Sequence, residues 1–314
     1  MSKLKTIFFG TPEISVPYLE LLQELTDIQL VVTQADKPRG RGMVITPCPV
    51  KKRALELGLP VRSPEKMKDI FDEVQQIPFE LGIAVAFGKI FRPNFLALPK
   101  LGIINVHFSL LPLLRGAAPV QHSLFQDFKK TGISVFWIEP GLDDGPLFLQ
   151  KEIAIDPADN AETLFKKLIP LGLIALRETI EKISNGQIIK IAQTGTPTLA
   201  PMIAKEQAVL DFKQMTAPQI HHKVRGLACG PKARTILHLN GKDELLQILR
   251  TELAADDKNA APGTVLAVES PRGIVVKCRQ GSIWITEVHP AGKKSMSAVD
   301  YAHGHSLTPR AIVF

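Results

Sequence analysis

The sequence contains no long hydrophobic run: across its 314 residues, no apolar stretch approaches the roughly 18 residues of a membrane span. Residues 1–10 are basic and then apolar, in the order of a signal peptide. The apolar part is too short, however, and it ends in a Gly10-Thr11-Pro12 turn without a small-residue cleavage site. We therefore expect a cytoplasmic protein whose chain opens with a buried strand, without a transit peptide and without a membrane partner.

Cysteine is scarce, and the glycine pattern of a dinucleotide site is missing. Cys48, Cys229 and Cys278 are odd in number and far apart, which excludes the paired spacing of a zinc site or of a disulfide framework. We expect plain reduced thiols and no metal. The first strand-turn-helix carries one glycine, Gly10, instead of Gly-x-Gly-x-x-Gly, which argues against a nicotinamide enzyme.

What the sequence does contain is an alternation of apolar strand patterns and helical periodicity. This alternation predicts right-handed βαβ units and an α/β fold, a Rossmann-like mostly parallel sheet. The predicted strands are 6–9, 28–33, 59–61, 80–87, 103–108, 132–138 and 147–155, and the predicted helices are 17–25, 51–57, 64–74, 119–128 and 160–184.

A second domain is indicated after a segment rich in Thr, Pro and Gly, residues 188–202. A helix over 212–225 precedes five short strands, a number that fits a smaller OB-like β-barrel or a small open sheet. The predicted strands are 233–239, 245–253, 263–269, 273–278 and 281–289. We predict a first domain over 1–189, a linker over 190–207 and a C-terminal domain over 208–314.

The positive charge is concentrated in that C-terminal domain. Of the net charge of +7, residues 208–314 supply +5, from 14 Lys and Arg against 9 Asp and Glu. A basic domain favours a polyanionic partner, although this excess is also compatible with ordinary solubility.

Two polar residues interrupt an apolar strand. Asn105 and His107 are two apart, so they share one face and lie about 6.5–7 Å apart along the strand. Either one alone is explained as a hydrogen-bonded structural residue. Together, at the carboxyl end of a strand of a doubly wound sheet, they indicate a site.

A basic loop and an acidic turn complete the features. Residues 34–50 are dense in Gly and Pro, and six basic residues between 36 and 53 face one acid. A loop of this length is either functional or disordered, and the residues alone favour a solvated mobile loop. Asp143 and Asp144 are adjacent in a tight turn, which by itself indicates turn chemistry.

Residues 102–112, Gly-Ile-Ile-Asn-Val-His-Phe-Ser-Leu-Leu-Pro, resemble the signature of the folate-dependent formyltransferases. Arg115-Gly-Ala-Ala-Pro119 is similar to the branch of that family that acts on methionyl-tRNA. The Gly-Thr-Pro opening and the closing Gly292-Lys-Lys-Ser-Met-Ser297 extend the resemblance over nearly the whole chain. Leu113-Leu114 stands where relatives usually carry Arg-x or Arg-Trp, which affects the binding details more than the chemistry.

The resemblance implies a set of site residues. It implies that Asn105 and His107 stabilise the oxyanion and that Asp143, rather than Asp144, supports His107. It implies that a Gly-Arg-Gly loop containing Arg41 enters the tRNA acceptor stem, and that the C-terminal barrel is part of the fold. The expected folate-binding residues are Phe87, Gly88, Lys89, Ile90, Ser109, Leu110, Leu111 and Pro112, and the expected tRNA-binding residues are Lys37, Arg39, Arg41, Lys293 and Lys294.

The implied reaction moves a formyl group from the co-substrate 10-formyltetrahydrofolate to the α-amino group of initiator methionyl-tRNA, in a monomer without metal. Direct attack by the amine needs no enzyme nucleophile, which agrees with the missing Gly-x-Ser-x-Gly elbow. Two alternatives stay open: a relative that formylates a small amine, such as an amino sugar or a nucleotide amine, and an RNA-binding protein whose first domain is catalytically idle. The basic loop and the basic C-terminal domain favour tRNA over a small amine.

Overall fold

The computed structural model describes residues 3–39, 44–239, 241–255 and 259–311. Their contacts divide the chain into two compact units. The first contains the described parts of Met1–Pro119, Lys130–Ala154 and Phe165–Pro201, and the second those of Val120–Lys129, Ile155–Leu164 and Met202–Phe314. The domain limits expected from the sequence, 1–189 and 208–314, stay a prediction.

A seven-stranded sheet forms the centre of the first unit. The order is β5-β2-β1-β6-β7-β8-β9, in which the first five strands are parallel and β8 and β9 are antiparallel to their neighbours. The predicted mostly parallel sheet is therefore confirmed. The strands up to β9 are β1 (Lys5–Gly10), β2 (Asp27–Val32), β3 (Lys37–Arg39), β4 (Val44–Thr46), β5 (Val61–Arg62), β6 (Leu81–Val85), β7 (Ile103–His107), β8 (Lys130–Trp137) and β9 (Leu147–Ala154).

The basic segment predicted as a loop contains two strands. β3 and β4 pair with each other, with Lys37 opposite Thr46. The β-branched residues Val44-Ile45-Thr46 explain the second strand, because such side chains favour extended backbone. The density of Gly and Pro therefore indicated a connecting segment correctly, but it did not reveal that β3 and β4 pair within that segment.

Helices cover both faces of the sheet. On one face, Tyr18 of the first helix meets Phe108 edge-on at 6.3 Å, and Phe108 meets Phe165 at 5.7 Å. The other face is filled by an aromatic cluster around Phe9 and Phe91, whose rings lie 4.9 Å apart. The helices of the chain up to residue 184 are α1 (Val16–Leu25), α2 (Pro49–Glu56), α3 (Phe71–Gln76), α4 (Pro93–Leu96), α5 (Pro119–Phe125) and α6 (Ala161–Ser184).

The helix predicted over residues 64–74 is divided in the structure. Residues 64–74 were expected to form a single helix, but a 3-10 turn over Met67–Ile70 precedes α3. The carboxylate of Asp69 accepts a hydrogen bond from the Lys66 N–H at 2.9 Å, which closes a separate turn before α3 begins.

The second unit is built on a curled antiparallel sheet of order β10-β11-β14-β13-β12, with β15 paired to β14. This half-barrel confirms the predicted fold class. The helix predicted over 212–225 begins at Ala217 rather than at 212, because Thr216 caps it and accepts a hydrogen bond from the Gln219 N–H. The helices and strands of the chain after residue 202 are α7 (Ala217–Gly226), β10 (Arg234–Leu239), β11 (Lys242–Ala254), β12 (Val265–Glu269), β13 (Gly273–Lys277), β14 (Ser282–Pro290), β15 (Met296–Ser297) and α8 (Ala298–Gly304).

No helix in the part of the chain that the structure describes is long and apolar enough to cross a membrane.

Candidate active site

The carboxyl ends of the parallel strands meet at one edge of the sheet, where ligands bind in open α/β folds. Gln34 follows β2, and its side-chain N–H donates to the Phe87 carbonyl after β6 at 2.8 Å. Thr11 follows β1, and its hydroxyl accepts from the Gln34 N–H at 3.3 Å. These bonds connect the ends of three neighbouring strands, and β7 ends beside them.

Asn105 and His107 lie on the same face of β7, at this edge. Asn105 is half-buried and pairs in register with Ala84 of β6 and Phe136 of β8. His107 is buried, and its ring meets the edge of the Phe136 ring at a centroid distance of 6.3 Å. The strand therefore holds an amide and an imidazole next to each other.

Both nitrogens of the His107 ring face protein atoms. Nε2 lies 2.9 Å from the Leu114 carbonyl oxygen, so Nε2 carries the proton and donates. Nδ1 lies 3.8 Å from Oδ2 of Asp143. Burial lowers the pKa of His107, while the Asp143 carboxylate and the Leu114 carbonyl act in the opposite direction. Burial prevails, so the pKa of His107 lies below its ordinary value.

Asp143, rather than the exposed Asp144, faces His107. Its backbone has φ +48°, a conformation uncommon for a residue with a side chain. Its Oδ2 accepts a hydrogen bond from the Gly116 N–H at 2.8 Å. The carboxylate is thus oriented by backbone before any substrate binds.

Among the expected folate-binding residues that follow β6, most side chains are absent or already packed or hydrogen-bonded within the protein. The Phe87 ring is buried and stacks on Phe91 at 5.6 Å, so its side chain belongs to the core. Gly88 has φ +72°, and a Cβ there would meet the Gln34 amide nitrogen at 2.6 Å. Lys89 donates from Nζ to the Pro64 and Glu65 carbonyls, each at 2.7 Å. Ile90 is 85% exposed.

The turn after β7, residues 109–112, is fixed by two polar residues that the sequence reasoning missed. The Ser134 hydroxyl accepts from the Leu111 N–H at 3.0 Å and donates to the Ser109 carbonyl at 2.7 Å. Gln150 donates from Nε2 to the Leu111 carbonyl at 2.9 Å. Leu110 and Pro112 are half-buried in the same turn. A serine inside the apolar run of β8 was the available signal for such a role.

The residues expected to bind tRNA are spread over both units. Lys37 is exposed on β3, and Arg39 ends that strand. Arg41 lies outside the described residues. In the second unit, Lys293 and Lys294 are exposed in the turn between β14 and β15.

Comparison with known proteins identifies the family. Residues 5–180 match the formyl transferase family model, and residues 202–306 match the model of the formyl transferase C-terminal domain. The chain is 50% identical over 332 residues to the methionyl-tRNA formyltransferase of Elusimicrobium minutum strain Pei191, covering 99% of this chain and 100% of that protein. The chain belongs to the methionyl-tRNA formyltransferase family. The predicted family and enzyme class are thereby confirmed.

A second methionyl-tRNA formyltransferase and two solved structures are also similar to this chain. The methionyl-tRNA formyltransferase of Bacillus subtilis strain 168 is 40% identical over 304 residues, covering 96% of this chain and 94% of that protein. An N-formyltransferase from Helicobacter canadensis, crystallised with folinic acid and dTDP-3-aminofucose, superposes with a TM-score of 0.66 at 17% identity, covering 91% and 99% of the two chains.

HypX from Aquifex aeolicus, crystallised with tetrahydrofolic acid, gives a TM-score of 0.65 at 14% identity over 98% of this chain. The chain spans about half the length of HypX, 48%. At these identities, the two solved structures show a shared fold between them and this methionyl-tRNA formyltransferase family member.

Proposed function

We propose that this protein transfers the formyl group of 10-formyltetrahydrofolate to the α-amino group of initiator methionyl-tRNA. The observation that carries the proposal is the cluster of Asn105, His107 and Asp143 at the carboxyl edge of the sheet, with 3.8 Å between His107 Nδ1 and Asp143 Oδ2. Similarity to methionyl-tRNA formyltransferases over the full chain supports the choice of acceptor.

In the proposed reaction, the amine nitrogen attacks the formyl carbon, the new C–N bond forms, and the bond from that carbon to N10 of the folate breaks. One proton leaves the amine and one is delivered to N10, so the products are formylmethionyl-tRNA and tetrahydrofolate. Charge develops on the formyl oxygen in the transition state. The half-buried Asn105 amide is suited to donate to that oxygen, since it supplies an N–H without changing charge.

His107 supplies the second donor in this proposal. Its Nε2–H donates to the Leu114 carbonyl in the structure, and in this proposal the reacting group accepts from the same N–H. Leu114 has φ +62°, a conformation that costs about 1–2 kcal/mol for a residue with a side chain. Asp143 faces Nδ1, which carries no proton while the proton is on Nε2, and its charge favours the doubly protonated ring when a proton must move.

The segments after β6 and β7 suit a flat ring with hydrogen-bonding edges. Residues 87–90 and 109–112 offer backbone groups and the exposed Ile90 side chain, while the Phe87 ring is committed to the core. We propose that these segments hold the folate through backbone and apolar contact.

For the tRNA, we propose that Lys37, Arg39 and Arg41 contact the acceptor stem and that Lys293 and Lys294 contact phosphate from the C-terminal domain. The domain limits 1–189 and 208–314, the linker 190–207, the monomeric state and the cytoplasmic location belong to the same proposal.

The test is formyl transfer from 10-formyltetrahydrofolate to charged methionyl-tRNA, run in parallel with a panel of small primary amines. We expect transfer to the charged tRNA. His107→Ala should abolish turnover while tRNA affinity stays largely intact, and Asn105→Ala should lower kcat about 100–1000-fold.

The matched control is His238→Ala, since His238 is an exposed histidine of the second unit that pairs with Asp243. Transfer to small amines alone would overturn the proposed acceptor but keep the chemistry. Unchanged turnover in His107→Ala would overturn the mechanism.

A further inference from the structure

A side chain from outside the catalytic strand connects to the Asp143 turn. Gln193 Nε2 donates to the Asp143 carbonyl and to the Gly145 carbonyl, each at 2.8 Å. Its Oε1 accepts from an Arg115 guanidinium N–H at 2.7 Å. Both ends of this carboxamide are therefore used, and the side chain is half-buried, so Gln193 is held in one orientation.

The same segment also pairs with the backbone beside His107. Leu114 donates its N–H to the Thr198 hydroxyl at 2.9 Å, and Arg115 donates its N–H to the Thr198 carbonyl at 2.8 Å. Ala200 then donates to the Arg115 carbonyl at 2.7 Å. Leu114 supplies the acceptor of His107, so this ladder fixes the position of that acceptor.

Two separate stretches of chain thus carry the partners of His107, and one segment holds them both. Leu114 and Asp143 each adopt a positive φ, +62° and +48°. Residues with side chains persist in that conformation only where the surrounding structure over-determines it. The bonds from Gln193 and Thr198 provide that constraint, although neither residue touches the imidazole in the bonds described above.

We propose that Gln193 is a positioning residue for formyl transfer: its carboxamide holds the Asp143 turn so that the carboxylate stays beside His107. The inference rests on the proposed function and deepens it, because it extends the catalytic arrangement into the region expected to link the domains.

The decisive variant is Gln193→Glu, which keeps the shape of the side chain. A carboxylate cannot donate, so the Asp143 and Gly145 carbonyls would face an oxygen at the site of their present donor and the turn would move away. Oε1 can still accept from Arg115, so that contact is retained. Gln193→Ala removes both sets of bonds and shows whether the effect requires repulsion.

The matched control is Gln29→Glu. Gln29 also lies in the first unit and also donates from Nε2 to a backbone carbonyl, that of Asp27 at 3.2 Å. It carries the same charge change away from the Asp143 turn.

In steady-state formylation of charged methionyl-tRNA, we expect kcat of Gln193→Glu to fall about 100-fold, the size expected for a displacement of about 1 Å at a reacting group. The KM values for the tRNA and the folate should stay within about twofold, because no binding contact is removed. Gln29→Glu should match the parent in both parameters.

A pH profile separates positioning from a loss of folded protein. The Asp143 carboxylate raises the pKa of His107 against the effect of burial. Gln193→Ala adds no charge, so if the turn moves away in that variant, the contribution of Asp143 weakens and the limb of the kcat profile governed by His107 moves to lower pH. A loss of folded enzyme would reduce kcat equally at every pH and leave the limb in place.

The outcomes are distinct. A parent protein that does not formylate the charged tRNA refutes the proposed function, and the positioning role falls with it. An active parent with unchanged kcat in both Gln193 variants overturns the positioning role alone. A uniform fall in kcat with an unshifted limb and a matching loss of folded fraction also overturns it.

Discussion

Replacing Gly116 by alanine tests how tightly the catalytic turn packs against its neighbouring strand. Gly116 has φ +122°, and a Cβ there would lie 2.7 Å from the Ala200 carbonyl oxygen. Real Cβ atoms do not approach backbone oxygen so closely, so Gly116→Ala forces the ladder between residues 115–118 and 198–200 apart. The Gly116 N–H also donates to Asp143, so activity should fall together with stability.

The cost has two parts. A side chain at positive φ costs about 1–2 kcal/mol, whatever the space around it. Moving the Ala200 carbonyl weakens its bond from the Ala118 N–H, now 3.0 Å, and the adjacent bond from the Ala200 N–H to the Arg115 carbonyl. Each such bond contributes about 0.5–1.5 kcal/mol. We expect the free energy of unfolding of the first unit to fall by about 2–5 kcal/mol.

Gly186→Ala separates the two parts, since Gly186 has φ +76° and nothing within 4 Å of the added Cβ. It should lose only about 1–2 kcal/mol. The assay is urea unfolding followed by the fluorescence of Trp137, which lies in the first unit, in a Trp284→Phe background. Equal losses in the two variants would refute the argument that the Ala200 carbonyl closes the space around Gly116.

Two further predictions concern the nucleic acid and the second unit. Arg41→Ala should weaken tRNA binding and reduce the slope of log affinity against log salt by about 1, because one phosphate contact is lost; titrations at several salt concentrations measure it, and an unchanged slope removes Arg41 from this role. Burial, with the charges of Arg225 and His222, lowers the pKa of His221 to about 4. In the unfolded state, the pKa of His221 is about 6.5. Between that pH and about 4, the unfolded state binds a proton that the folded state does not bind. The free energy of unfolding therefore falls as the pH falls through this range. Trp284 fluorescence in a Trp137→Phe background should show this fall in urea midpoint, smaller in His221→Gln; an identical pH dependence in the two proteins contradicts it.

The sheet of the first unit was predictable because its strands are apolar runs separated by amphipathic helices. The observed strands β6 and β7 lie within the predicted 80–87 and 103–108. The first residues of helices were harder to predict from the sequence, because they depend on single capping hydrogen bonds such as the one at Thr216. α8 was not predicted at all: at seven residues it is short, and Ser297 begins it by accepting from the Asp300 N–H.

The proximity of Asn105 and His107 could be predicted, since residues two apart on a strand project from the same face of the sheet. Asp143 was assigned through resemblance to a family, because its approach to His107 depends on tertiary structure between two distant segments. Gln193 and Thr198 gave no signal. They stand in a stretch rich in Thr, Pro and Gly, where composition indicates a connection and says nothing about which polar groups the connection will contact.

Residues 193–200 are synthesised after the main sheet, which affects the order in which the parts of the site can fold. Domains generally fold from the N-terminus as synthesis proceeds. All strands of the main sheet have been translated by residue 154, yet Gln193 and Thr198 are added later. The nascent sheet can therefore collapse before the turn beside His107 has the partners that fix it. A fragment ending at residue 189 would contain the sheet with Asn105, His107 and Asp143. The contacts that fix the turn beside His107 would form only after about a dozen further residues had been synthesised.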